Sequence, residues 1–157
     1  DVYGLDVKIA RIFRTYGPRM KISDGNVLPD MVNAALEDKD IELKESEHAK
    51  MALCYVSDVV DALVKHMNTP IDVTVMNIGS DQEYPLAQIA EKIIRMVNAT
   101  SHVRFVPDLT PHFEAGLPDL GKARQLLHWL PLVRLDDGLQ KMIDYASSHR
   151  KQANFFS

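Results

Sequence analysis

A single cysteine, Cys54, stands in 157 residues. One thiol excludes an internal disulfide and fits a reducing compartment, so a cytoplasmic location is expected. No apolar run approaches the roughly 20 residues that span a bilayer, so no membrane partner is expected. No secretory leader pattern opens the chain. Lysine and arginine number 18 against 22 acidic residues, for a net charge of -4. No basic block stands out, which argues against a dedicated nucleic-acid surface. None of the six histidines pairs with another at metal-ligand spacing, so no metal is expected. The sequence has no G-x-S-x-G elbow, no P-loop and no G-x-x-G-x-x-G dinucleotide fingerprint.

What is present suits a globular domain with its own core: 46% of residues are apolar and 25% charged. The chain opens at Asp1 and enters a strand within a few residues, so a piece of something longer is expected. That strand, Leu5 to Phe13, stops abruptly at Arg14-Thr15-Tyr16-Gly17-Pro18-Arg19. The pattern predicts a buried strand opening into a loop. In open α/β sheets ligands bind just beyond the carboxyl ends of strands, which makes Arg14, Thr15, Tyr16 and Arg19 candidates. The plain alternative is an ordinary Gly-Pro turn.

Further on, Asp24-Gly25 signals a turn, and Asn26 is placed to cap a helix carrying Val27, Leu28, Met31, Val32, Ala35 and Leu36. Ile41 to Leu43 reads as a short strand. Met51 to Val56 is a second apolar run. Ser57 or Asp58 then starts a helix with Val59, Val60, Leu63 and Met67 on one side, stopped by Asn68-Thr69-Pro70. Val73 to Ile78 is a third strand, closed by Gly79-Ser80. Leu86, Ile89, Ala90, Ile93, Ile94 and Val97 make the cleanest amphipathic helix. Val103 to Val106 is a short strand, and Asp108 to Pro118 is irregular. Asp119 caps a short helix through Leu127, broken by His128-Trp129-Leu130-Pro131. Asp136-Asp137 opens a last helix with Leu139, Met142, Ile143 and Ala146 on its apolar face, and Gln152 to Ser157 should fray.

Strands alternating with helices predict an α/β protein. The better strands lie far apart in sequence, so part of the sheet is expected elsewhere. An uncovered apolar face should then run along Leu5 to Phe13 and Val73 to Ile78, and lead to self-association or to a rearranged fold. Single side chains read blandly. Cys54 is a buried structural thiol. His66 suits a helix C-terminal dipole, and Asp58, Asp136 and Asp137 mark helix starts, not catalytic acids. Tyr3, Tyr55, Tyr84 and Tyr145 are half-buried packing residues.

The run Ala10-Arg11-Ile12-Phe13-Arg14-Thr15-Tyr16-Gly17-Pro18-Arg19-Met20, with Asp24-Gly25-Asn26-Val27, resembles the R-I-F-N-T-F/Y-G-P-R-M…D-G-R-V segment of extended short-chain dehydrogenase/reductases. The branch it looks most like is the UDP-glucuronic acid decarboxylases, with dTDP-glucose 4,6-dehydratases and UDP-glucose 4-epimerases next. Tyr55-Val56-Ser57-Asp58-Val59-Val60 resembles Y-V-x-D-L/V-V/A, and Asn77-Ile78-Gly79 resembles N-I/L-G. Pro118-Asp119-Leu120-Gly121-Lys122-Ala123 resembles P-D-I/L-x-K-A, with Leu127-His128-Trp129 near L-G-W.

The resemblance covers nearly the whole chain. It implies an α/β fold: the C-terminal portion of an extended Rossmann-type enzyme, comprising the last strands of the parallel sheet and the small substrate-binding subdomain. Residues 1–157 would be one fragment, with the NAD-binding part and the catalytic Y-x-x-x-K upstream. The implied chemistry is transient oxidation at sugar C4 by NAD, then decarboxylation, dehydration or epimerisation, then re-reduction. Implied partners are a nucleotide sugar, above all a UDP-sugar, and a second copy in the full-length protein. No catalytic residue falls in this chain. Thr15, Lys21 and Asn26 align with cofactor-side positions, and Arg14, Tyr16 and Arg19 with substrate-side positions.

The sequence also departs from that pattern. Arg14 replaces an Asn that helps hold the nucleotide-sugar. Met51 and Gly116 stand where the family places two diphosphate-gripping arginines, whose bidentate contacts apolar groups do not replace. The grip then moves to Arg14 or Lys50, or is lost. A non-catalytic relative that keeps the fold without sugar-nucleotide binding is the alternative reading.

Overall fold

Two parallel strand pairs, each joining residues far apart in sequence, organise the computed structural model. The structure describes residues 7–21, 26–70, 75–106 and 116–153. Tyr3, the Asp24-Gly25 turn, the start of the strand at Val73 and nearly all of the proline-rich stretch lie outside the described residues, as does the chain end. In order come β1 (Ile9–Ile12), β2 (Thr15–Tyr16), α1 (Val27–Leu36), β3 (Ile41–Leu43), β4 (Lys50–Ala52), β5 (Cys54–Tyr55), α2 (Val56–Asn68), β6 (Val75–Ile78), β7 (Glu83–Pro85), α3 (Leu86–Val97), β8 (Val103–Phe105), α4 (Gly121–Leu126) and α5 (Leu135–Ala153). The chain divides into two compact units. One is made of Asp1–Thr15, Ala52–Gln82 and Gly116–Val133, the other of Tyr16–Met51, Glu83–Ala115 and Arg134–Ser157.

In the first unit β1 lies parallel to β6, with Ile9 opposite Val75 and Ile12 opposite Ile78. The Phe13 N–H donates to the Ile78 carbonyl at 2.8 Å and carries the ladder one residue further. Met76 and Ile78 enter a core with Cys54, Val59, Ala62, Leu120, Ala123, Leu127 and Trp129. Trp129 is buried, and its indole N–H donates to the Asp58 carbonyl at 3.0 Å. That partner satisfies the polar end of a large apolar side chain. The Asp58 carboxylate accepts the N–H groups of Leu132 and Val133 at 3.1 and 2.9 Å. The segment after α4, where His128 turns with φ 48°, is thus tied to the first turn of α2.

The expected buried strand is not what forms at β1. Ile9 is 46% and Ile12 51% exposed, and Val7 is exposed as well. The reason is that α2 and α4 pack against β6, leaving β1 paired along one edge among the described residues. Met76 and Ile78 are buried by this packing, so of the two strands only β1 bears exposed large apolar side chains among the described residues, while α2 carries its own at Val56, Val60, Val64 and Met67. His66 lies in the last turn of α2, as its reading as a helix C-terminal residue expects, but it is buried, and its Nε2 has no hydrogen-bond partner among the described residues.

The second unit pairs β3 parallel with β8, Ile41 opposite Val103 and Leu43 opposite Phe105. The pair is extended by Ile41 N–H to the His102 carbonyl and Val106 N–H to the Leu43 carbonyl, both 2.8 Å. Helices α1, α3 and α5 pack on one another through Leu28, Met31, Val32 and Ala35, through Leu86, Ile89, Ala90 and Ile93, and through Leu139, Met142 and Ile143. The amphipathic spacing of each helix supplies these faces. Asn98 ends α3 in the left-handed conformation, φ 59°, a role a short amide side chain tolerates. Asn26 holds the N-cap position of α1 but makes no side-chain cap bond. Helix α2 begins at Val56, ahead of Ser57.

Candidate ligand loop and strand-end site

In the first unit, the carboxyl ends of β1 and β6 lie side by side. Arg14 leaves β1 with its carbonyl accepting the Cys54 N–H at 3.0 Å, so its backbone is fixed while its side chain is exposed. Thr15 is half-buried, and its hydroxyl donates to the Phe13 carbonyl at 2.9 Å. With its hydrogen committed, that oxygen offers lone pairs only.

Past β6 comes Gly79. A Cβ there would stand 2.8 Å from Phe13 Cβ and 3.3 Å from Pro118 Cγ, so only glycine permits this close approach of three chain segments. Ser80 is buried and its Oγ accepts the Gln82 N–H at 3.1 Å. Asp81 pairs with Arg124 at 2.6 Å, and Asn77 donates its side-chain N–H to the Asp119 carbonyl at 3.1 Å. Residues 116–124 are therefore fastened to the end of β6. In the sequence Asn77 and Gly79 stand out only as part of a strand-end motif. Asp81 and Arg124 carried no sequence signal.

In the second unit, Tyr16 is 2% exposed, and its hydroxyl donates to the Leu135 carbonyl at 3.3 Å. Its ring rests on Gly138, where a Cβ would fall 2.1 Å from the phenol oxygen. Tyr16 therefore anchors the loop to the start of α5. Arg19 is exposed and sits at φ 70°, a left-handed conformation that costs an L-residue about 1–2 kcal/mol. Lys21 and Asn26 are exposed, with the residues between them outside the described set.

Of the sequence-predicted positions, Arg14 and Thr15 thus belong to the first unit and Tyr16, Arg19, Lys21 and Asn26 to the second. Met51 is 5% exposed and turned into the core, whereas Lys50 is exposed. Gly116 is exposed with open space where a side chain would be. Burial, and secondarily the Asp58 carboxylate, pushes the Cys54 thiol up to about 12, so it is a neutral structural thiol. Among the described residues no cluster of histidine, cysteine and acidic side chains could hold a metal ion, and no helix is long and apolar enough to cross a membrane.

The NAD dependent epimerase/dehydratase family model matches residues 1–79, half of the chain. The chain belongs to this family. UDP-glucuronic acid decarboxylase 1 of Danio rerio is 38% identical over 152 residues, which cover 96% of this chain and 36% of that protein. UDP-glucuronic acid decarboxylase 3 of Arabidopsis thaliana is 34% identical over 140 residues, 89% of this chain and 41% of that one. This epimerase/dehydratase chain thus spans well under half the length of these relatives. Solved structures agree on the fold. The UDP-glucose 4-epimerase of Thermotoga maritima with UDP-glucose superimposes with a TM-score of 0.85 at 23% identity, covering 94% of this chain and 48% of that one. The UDP-glucuronic acid 4-epimerase of Bacillus cereus, in complex with UDP-glucuronic acid and NAD, gives 0.81 at 24% identity, covering 90% and 45%. The Rossmann-type α/β architecture is shared with these enzymes, and the parallel pairing of β1 with β6 is its expression here.

Proposed function

We propose that this chain is the sugar-nucleotide half of an NAD-dependent nucleotide-sugar enzyme of the UDP-glucuronate decarboxylase type. By itself it is inactive, because the catalytic tyrosine and lysine are supplied by residues outside it. The full-length protein works as a homodimer in the cytoplasm on a UDP-sugar. The observation that carries this reading is 38% identity to a UDP-glucuronic acid decarboxylase sustained across 152 residues.

The donor set suits one end of NAD. The Thr15 oxygen can accept from the carboxamide of the nicotinamide, and the exposed Lys21 and Asn26 can donate to ribose hydroxyls. Nothing in this sequence resembles a glycine-rich pyrophosphate turn, so these residues hold the nicotinamide end alone. NAD, when bound, supplies reversible hydride transfer at sugar C4. This chain's own part is to grip and orient the substrate. Arg14 and Arg19 are the cations offered to its negative charge, and Tyr16 fixes the loop that carries Arg19 through its bond to the Leu135 carbonyl. With Met51 turned inward and Gly116 bare, Arg14 takes over the diphosphate contact.

Incubating the full-length protein with UDP-glucuronic acid should release carbon dioxide and a UDP-pentose, and no turnover by a folded, NAD-loaded protein refutes the decarboxylase reading. Titrating UDP against the full-length protein and its Arg14→Ala variant should show about tenfold weaker binding in the variant, the usual loss for a charge-assisted contact. Unchanged affinity removes Arg14 from the site. The buried Met51 and bare Gly116 also favour a second reading, a fold-preserving relative that no longer binds sugar nucleotides. Failure of the wild-type protein to bind UDP at millimolar concentration selects it.

A further inference from the structure

Residues 116–120 form neither helix nor strand, so their backbone groups need partners from elsewhere. One of them, the Asp119 carbonyl, finds its partner on β6. In the β6 register Met76 and Ile78 enter the core, while Asn77 stands opposite Arg11 on the alternate side. Asparagine is a poor strand residue, and here its amide reaches across to the Asp119 carbonyl at 3.1 Å. Pro118 packs on Gly79, against which Phe13 also closes, so the segment lies at the carboxyl ends of both β1 and β6. The Asp119 carboxylate then accepts the Gly121 N–H at 2.8 Å and starts α4. The Arg124–Asp81 pair is about half exposed and adds little hold, as surface ion pairs do. The Asn77 bond, also at the surface, fixes this segment's backbone together with the packing of Pro118 on Gly79.

We infer that Asn77 is a positioning residue for nucleotide-sugar binding: its side-chain amide holds residues 116–120 as a preformed wall at the carboxyl ends of β1 and β6. This rests on the reading above that these strand ends face the nucleotide sugar. A wall ordered before the ligand arrives lowers the ordering cost of binding. Its effect therefore falls on affinity and KM, with kcat little changed.

The test uses the full-length protein and Asn77→Ala, which removes the donor without adding charge. UDP is the binding probe. Expected are UDP affinity about 3- to 10-fold weaker, the range one hydrogen bond supplies, a matching rise in KM for UDP-glucuronic acid, and kcat within about twofold. Amide hydrogen exchange at residues 119–121 should quicken in parallel. Asn77→Ser, too short to reach Asp119, should behave alike and serves if the first variant folds poorly. Wild-type UDP affinity in both variants overturns the inference. So does a loss of affinity with unchanged exchange, because Asn77 would then touch the ligand directly. A wild-type protein that does not bind UDP overturns the site reading itself and the inference with it.

Discussion

Gly138 is the fourth residue of α5, where alanine ought to be better by about 0.8–1.0 kcal/mol of helix propensity. Its side-chain space is already filled. A Cβ would stand 2.1 Å from the Tyr16 hydroxyl oxygen, 2.6 Å from Cζ and 2.8 Å from Cε2. Tyr16, 2% exposed, has no room to retreat. Overpacking of this kind costs about 1–3 kcal/mol, and loss of the 3.3 Å bond from the Tyr16 hydroxyl to the Leu135 carbonyl adds about 0.5–1.5 kcal/mol. Gly138→Ala should therefore destabilise the protein by about 0.5–3.5 kcal/mol net of propensity. In a Tyr16→Leu background, which lacks the three clashing atoms, the same substitution should stabilise by up to about 1 kcal/mol. Urea unfolding of the four proteins, followed by circular dichroism and Trp129 fluorescence, gives the cycle. A neutral or stabilising Gly138→Ala in the wild-type background, or an equal effect in both backgrounds, refutes the contact as described.

Asp58→Ala strips the acceptor from two part-buried backbone N–H groups and should cost about 2–4 kcal/mol, while Asp58→Asn, which keeps an oxygen, should cost visibly less; equal shifts in the urea midpoint would remove the hydrogen bonds as the cause. Cys54 should resist thiol reagents at pH 8 until the protein unfolds, and labelling within minutes of the native protein would contradict its burial. Its titration also carries a sign. Unfolded, the thiol ionises near its ordinary 9.0, but folded only near 12, so the unfolded state loses its proton first. Stability is therefore intact below about pH 9 and falls as pH rises toward 12, by at most about 1.4 kcal/mol per pH unit. Cys54→Ala should flatten that slope, and an unaltered alkaline slope would assign it elsewhere.

The helices were legible because their apolar spacing is local. Leu86, Ile89, Ala90 and Ile93 announced α3 by period alone, and all are buried. The alternation of elements also disclosed the α/β class. What stayed hidden depends on partners distant in sequence. Asp58 read as a helix start, yet its carboxylate serves Leu132 and Val133, more than seventy residues on. Trp129 read as part of a break, and it is a central core side chain. Strands β2 and β7, of two and three residues, are too short to show a period. In the candidate site, the loop at Arg14 to Lys21 was visible in its residues, but the burial of Tyr16 was not, since it depends on the absence of a side chain at Gly138. The fastening of residues 116–124 to β6 was equally invisible, because Asn77 bonds a backbone carbonyl that any residue at 119 would present.

Each unit is threaded from three separate stretches, and that arrangement imposes a timetable on synthesis. Lys8, at the head of β1, bonds Thr69, 61 residues later, and β6 lies later still. At about 5–20 residues per second, β1 leaves the ribosome roughly 3–13 s before its strand partner β6, with Ile9 opposite Val75. The first unit can close only after Val133 has emerged, and the second only when the final helix has followed. A ribosome pause between residues 133 and 134 would therefore separate the assembly of the two halves in time, whereas a protease cut between any two of the six stretches would sever a unit from part of itself.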